Sequence, residues 1–246
     1  MIPAEPKSER AVQDGLPAAE RSPTNDWPCW RGPNAAGVAD GRKLPLRWSR
    51  TENVRWSVKL PGWGTSSPVV DAKTHAELWR YGEGEGPFNG EIIVSPTCGD
   101  DLVFLQLWRQ SRIHAIRLTG DQQPPEPAWV SDKPGPQEPS LLYYRGLLYA
   151  LLDNGVLVCL DGKTGQEQYR ERLGAACNSS PIVCDGRIYV SDNTGTTFVV
   201  QAGRQYRLLT TNELDERITA SPAISGNELI YRTDSQLYCL GLSLGQ

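Results

Sequence analysis

Two histidines, His75 and His114, supply all the imidazole chemistry in this chain of 246 residues. His114 lies in Arg112-Ile113-His114-Ala115-Ile116, an alternating apolar stretch that reads as a strand, so it is expected on a strand face rather than as a general base. His75 ends Asp71-Ala72-Lys73-Thr74-His75, a turn pattern in which His stands where Gly is expected, and His tolerates positive φ better than most side chains. The cysteines Cys29, Cys98, Cys159, Cys177, Cys184 and Cys239 are scattered singly and read as buried free thiols. Cys177 and Cys184 lack zinc-knuckle spacing, and no G-x-S-x-G, H-E-x-x-H, C-x-x-C or Walker A segment occurs. Glu83, Glu85 and Glu91 offer oxygen ligands in and beside the Gly-rich stretch 82–90, but without the alternation an EF-hand loop needs, so a solvated acidic loop is expected. No catalytic, cofactor-binding or metal-ligating residue is therefore assigned. Trp27, Trp30, Trp48 and Trp63 fall outside the repeat positions and form the candidate partner surface, for sugar or protein; the alternative is that they pack the N-terminal segment against the fold.

The elements that would have to position such groups are strands. With 24 Gly, 19 Pro and 1 Met, the composition suits many short strands joined by tight turns, and helix is expected to be scarce. A net charge of −4 and the lack of any Lys/Arg cluster exclude a phosphate-backbone footprint, so nucleic acid is not an expected partner. No apolar run approaches the roughly 20 residues that a spanning helix needs, so no transmembrane segment is expected. Residues 1–25, rich in Pro, Ala and charge and without an apolar signal-peptide core, read as a flexible leader, leaving 26–246 as one domain.

A repeat organises the rest. Its anchor is a small or polar residue, Pro and an apolar stretch, at Ser67-Pro68, Ser95-Pro96, Glu138-Pro139, Ser180-Pro181 and Ser221-Pro222, and the last four prolines recur every 41 to 43 residues. That period is one four-stranded propeller blade. In the clearest unit, strands around Leu141-Tyr143, Leu147-Leu152 and Val156-Leu160 are separated by Arg145-Gly146 and Asp153-Asn154-Gly155. Asp161-Gly162-Lys163-Thr164-Gly165 then makes a hairpin turn in which the Asp caps its own loop and the last Gly takes positive φ. Each expected fourth strand carries one aromatic, Trp56, Trp79, Trp129, Tyr169 or Tyr206, read as a wedge between neighbouring blades. Gln236-Leu237-Tyr238-Cys239-Leu240-Gly241 reads as a third strand lacking a fourth, and Val54-Val58 as a strand lacking a blade, so each completes the other and closes the fold.

The Ser-Pro anchor, the Asp161–Gly165 turn and the fourth-strand aromatic resemble the pyrroloquinoline-quinone (PQQ)-like repeat family over residues 53–241. Asp26-Trp27-Pro28-Cys29-Trp30-Arg31-Gly32-Pro33-Asn34 resembles the opening motif of planctomycete-type exported members; BamB-like proteins and quinoprotein alcohol dehydrogenases are other relatives. The resemblance implies an all-β propeller of four-stranded antiparallel blades acting in the periplasm or outside the cell, although no signal peptide is visible. It also implies a choice between a PQQ-dependent redox enzyme and a non-catalytic scaffold for a protein, peptide or glycan. The adjacent cysteines that characterise the quinoproteins are absent, so the scaffold without cofactor is the expected function. Between Pro68 and Trp79 there is no room for four strands of typical length, and a deletion at Val70-Asp71 is expected to leave about four near-complete blades and one remnant.

Overall fold

The computed structural model describes residues 37, 43–59, 94–107, 112–117 and 127–242. Every regular element among them is a strand, and the strands form four antiparallel sheets of four. β1 (Val54–Lys59) precedes three sheets that pair in chain order. The first holds β2 (Thr97–Gly99), β3 (Leu102–Leu107), β4 (Arg112–Arg117) and β5 (Pro127–Pro134). The second holds β6 (Leu142–Tyr144), β7 (Leu147–Leu151), β8 (Val156–Asp161) and β9 (Glu167–Arg172), and the third β10 (Ile182–Cys184), β11 (Arg187–Ser191), β12 (Thr196–Gln201) and β13 (Leu208–Glu213). The fourth is built from β14 (Ala223–Ser225), β15 (Glu228–Arg232) and β16 (Gln236–Gly241), and β1 adds to β16 as its outer strand, with Trp56 opposite Cys239. The expected completion of the last blade by the early strand is thus observed.

Local chemistry sets the hairpins. Asp185 and Gly186 both take positive φ, 48° and 73°, as a two-residue turn matching the strand twist requires. Asp161 Oδ1 accepts from the Lys163 and Thr164 amides, both at 3.1 Å, and from Thr164 Oγ1, while Gly165 has φ 74°. A Cβ at Gly165 would lie 2.7 Å from the Trp129 ring, so this glycine serves both the turn and the approach of the preceding blade.

The registers superpose the four blades. Ala115, Cys159, Val199 and Cys239 hold the same place on the third strands, opposite Phe104, Tyr149, Tyr189 and Ile230 on the second. On the fourth strands the same row ends in Trp129, Tyr169, Thr210 and Trp56. The wedge position of the third blade is therefore Thr210, not Tyr206 as the sequence suggests. Tyr206 lies in the loop before β13, because that loop uses more residues than its counterpart before β9.

Three apolar cores join the blades in series. Leu102, Phe104 and Ala115 pack on Leu141, Leu148 and Val158 of the second blade. Tyr149, Leu157 and Cys159 pack on Val183, Ile188 and Val200 of the third. Ile182, Tyr189 and Val199 pack on Leu229, Tyr231 and Leu240 of the fourth. Each fully buried side chain of this size contributes roughly 1.5–3 kcal/mol, against about 0–1 kcal/mol for an exposed ion pair, so these cores and not the surface charges hold the blades together.

At the inner edge the anchors form a ladder. Ser95 N–H donates to Ser140 Oγ at 3.2 Å, Ser140 N–H to Ser180 Oγ at 2.9 Å, and Ser180 N–H to Ser221 Oγ at 2.9 Å. Each buried donor that an inner strand cannot satisfy is met by the hydroxyl of the next blade. In the second blade the anchor is accordingly Ser140-Leu141, two residues beyond the Glu138-Pro139 read from sequence, where the proline obscures the register. The leader, the Ser67-Pro68 anchor, Trp79, and the proposed seam at Val70-Asp71 lie outside the described residues.

Candidate functional site: the grooves between blades

Where the outer strands of adjacent blades diverge, a groove runs between them, and the three grooves among the described blades are finished differently. Between the third and fourth blades the chain itself lies in the groove. Trp48 is 3% exposed and its ring sits 6.1 Å from Tyr189 of the third blade and 6.0 Å from Tyr231 of the fourth. Asn212, buried on β13, clamps the backbone of this segment: its Oδ1 accepts from Trp48 N–H at 2.7 Å and its Nδ2 donates to Leu46 O at 3.2 Å. Leu44 enters the same core. Trp48 stands to Tyr189 as Trp129, 5.9 Å from Phe104, stands in the first blade, so it replaces the aromatic that Thr210 lacks.

This corrects the reading of Trp48 as part of an exposed partner surface. Its spacing takes it out of the repeat because it is supplied from an N-terminal segment, yet its ring does the repeat's work. Trp27, Trp30 and Trp63, the other members of that surface, lie outside the described residues, as do His75, Glu83, Glu85, Glu91 and Cys29.

Between the second and third blades the groove is closed by the loop before β13. Tyr206 packs edge-on against Tyr169 at 5.7 Å, and Arg204 Nη2 reaches Asp161 Oδ2 at 2.6 Å. That arginine, ahead of the turn's own donors, holds the Asp161 carboxyl below the usual range.

Between the first and second blades the groove stays open and encloses about 290 Å³. Ile113, Ala150, Leu152, Val158 and Leu160 form its apolar floor. It is open because β5 bulges: Val130 pairs with His114 and Pro134 with Arg112, so extra residues on β5 span the interval. Ser131 fixes the bulge by accepting from Ile113 N–H at 2.9 Å and donating to Lys133 O at 2.8 Å. At the rim Glu167 Oε2 receives Lys133 Nζ at 3.1 Å and Arg170 Nη2 at 2.8 Å. Arg170 and then Lys133 hold the Glu167 carboxyl below its ordinary value. Nothing in the sequence pattern marks this groove; the bulge that opens it is a backbone irregularity.

The remaining ionisable groups are engaged in structure. Asp153 receives the Gln137 and Glu138 amides of the incoming connection, and Asp192 receives those of Ala175, Thr194 and Thr196. His114 is buried on β4; burial and then Arg112 lower its pKa from 6.5. Cys159, Cys177, Cys184 and Cys239 are buried free thiols as expected, whereas Cys98 is exposed at its place on the short innermost strand β2. Burial pushes the Cys159, Cys177 and Cys239 thiols up to about 12, so they are neither nucleophiles nor ready ligands near neutrality. Among the described residues no three His, Cys, Asp or Glu side chains gather as a metal group, and no helix is long and apolar enough to cross a membrane. A bound quinone with its Ca²⁺ would need flat apolar walls beside an oxygen-rich ligand set. The described residues do not fit it: of the two carboxylates lining the open groove, Asp132 and Glu167, Glu167 is already held by two cations, and the buried thiols sit singly, none beside another in the chain.

Four-stranded blades in a common register, joined by an inner hydrogen-bond ladder, define a β-propeller of PQQ-like repeats. Residues 69–246 match the family model described as outer membrane protein assembly factor BamB, and the chain belongs to that family. None of the curated proteins matches the sequence. The crystal structure of BamB from Moraxella catarrhalis is similar with a TM-score of 0.51 and 13% identity, over 64% of this chain and 46% of that one. The chain thus spans about half the length of that BamB structure. The computationally designed Ika4 protein is similar with a TM-score of 0.54 and 15% identity, over 69% of this chain and 100% of that one. At such identities the structures share the fold.

Proposed function

We propose that the chain is a non-catalytic β-propeller scaffold of the cell envelope, periplasmic or extracellular, that binds a protein, peptide or glycan partner. The observation that carries this reading is the use of ionisable side chains in the described residues. Asp153, Asp161, Asp192 and Glu216 each accept hydrogen bonds that hold a turn or a connection between blades, and the buried thiols of Cys159, Cys177 and Cys239 stay protonated near neutrality. A catalytic site gathers perturbed groups around a cavity; here the groups are dispersed and the open groove has an apolar floor. Membership of a family described as an outer membrane assembly factor supports a protein partner and an envelope location. In-cell cross-linking followed by fractionation tests the reading: the protein should fractionate with the envelope and cross-link to a partner at a defined stoichiometry. A wholly cytosolic protein that cross-links to nothing would overturn it.

A further inference from the structure

We propose that two copies of the chain join head to tail, the fourth blade of each packing on the first blade of the other, to complete one propeller ring. The inference goes beyond the scaffold reading and does not depend on it.

The three joints inside the chain share one pattern. In each, the third residue of a blade's second strand meets the second and fourth residues of that strand in the next blade. Phe104 meets Leu148 and Ala150, Tyr149 meets Ile188 and Val190, and Tyr189 meets Leu229 and Tyr231. Each of these side chains is buried. At the two ends of the series the same places are held by Ile230 on the fourth blade and by Val103 and Leu105 on the first, all apolar but only half-buried. The contrast recurs on the innermost strands. Tyr144 and Cys184 are buried in their joints, whereas Ser225, at the same place on β14, is exposed. Val183 and Ile224 are buried, whereas Cys98, their counterpart on β2, is exposed.

Among the described residues, therefore, no core joins the fourth blade to the first. The serine ladder stops at the same place. No hydroxyl among the described residues receives the Ser221 N–H that would continue it, and no N–H among them reaches Ser95 Oγ. Two half-joints of opposite kind remain, and in every completed joint such a face meets its opposite; apolar side chains left open together mark an interaction surface. Farther out, Ile116 and Cys239 are buried within one chain, so the contact falls to the first and second strands. The chain does not force its own two ends together: residues 135–141, 173–181 and 214–222 link successive blades, whereas the far longer stretch 60–96 separates β1 from β2. The BamB structure shares the fold and the chain matches less than half of it, so a ring of such blades holds about twice what the described ones supply. A two-fold axis through the centre of the ring pairs both open faces of one copy with both of the other and leaves none over.

Sedimentation equilibrium of the full chain tests the joint. The expected mass is twice that of one chain at roughly micromolar protein. Ile230→Arg and Leu105→Glu should each weaken the pairing about tenfold or more, and so should Ser225→Arg, whose exposed site leaves the folding of the single chain intact. Mixing Ile230→Arg with Leu105→Glu should restore it, because one joint of the mixed pair is then wild type and the other sets Arg against Glu. Alkylation of Cys98 should slow several-fold from dilute to concentrated protein. A wild type that stays a single chain at ~100 μM, or a Cys98 rate independent of concentration, would overturn the joint. A loss confined to the substitutions on one face would mean that like faces meet and would overturn the head-to-tail arrangement. So would a series of ever larger species, or variants that stay apart on mixing.

Discussion

Replacing Trp48 by Ala removes a wedge that the third blade does not supply itself. The ring is 3% exposed and lies between Tyr189 and Tyr231, so the substitution opens a cavity across the core joining the third and fourth blades. Trp→Ala changes at buried sites cost about 3–5 kcal/mol, a large share of the roughly 5–15 kcal/mol that domains have. For a chain of this size each kcal/mol moves the midpoint by about 2–4 °C, so thermal unfolding followed by circular dichroism should show a drop of roughly 6–20 °C. Trp48→Phe should cost far less, because the indole Nε1 has no hydrogen-bond partner and its loss relieves a buried donor. Adding Thr210→Trp to Trp48→Ala should restore part of the loss, since it returns an aromatic to the row shared by Trp129 and Tyr169. A Trp48→Ala destabilisation of less than about 0.5 kcal/mol, the range of surface substitutions, would refute the wedge, and a further loss on adding Thr210→Trp would refute the equivalence.

Ser180→Ala strands the buried Ser140 N–H and should destabilise the protein by about 1–3 kcal/mol in urea denaturation; an unchanged midpoint would remove the ladder from the account. The folded state holds the His114 imidazole below its ordinary 6.5, so the unfolded chain binds the proton first and stability present above pH 6.5 is lost as pH falls toward the folded value. His114→Gln should flatten that part of the melting-temperature profile, and identical slopes would contradict the shift. Alkylation with peptide mapping should modify Cys98 in the native protein and leave Cys159, Cys177, Cys184 and Cys239 untouched until unfolding; rapid native labelling of Cys159 would contradict its burial.

Most of the fold is legible in the sequence because its repeat is written in turn chemistry. The Asp161–Gly165 hairpin, the Asp185-Gly186 turn and the partnership of Val54–Lys59 with Gln236–Gly241 follow from alternation and positive-φ residues that only local geometry has to satisfy. The misreadings fall where one blade borrows from elsewhere. Tyr206 has the right spacing but lies before its strand, and Trp48 has the wrong spacing but fills the third blade's wedge, because packing selects a ring by place and not by distance along the chain. Glu138-Pro139 mimics an anchor whose true serine is Ser140, which only the hydrogen bonds between blades reveal. The open groove left no sequence signal, since an outer-strand bulge depends on backbone pairing that apolar periodicity does not encode.

On the proposed scaffold reading, this PQQ-like propeller engages its partner without quinone chemistry. Titration of the full chain with PQQ in the presence of Ca²⁺, followed by calorimetry, tests it most directly. No saturable heat is expected at roughly micromolar PQQ; saturable binding there, accompanied by alcohol oxidation, would overturn the scaffold reading.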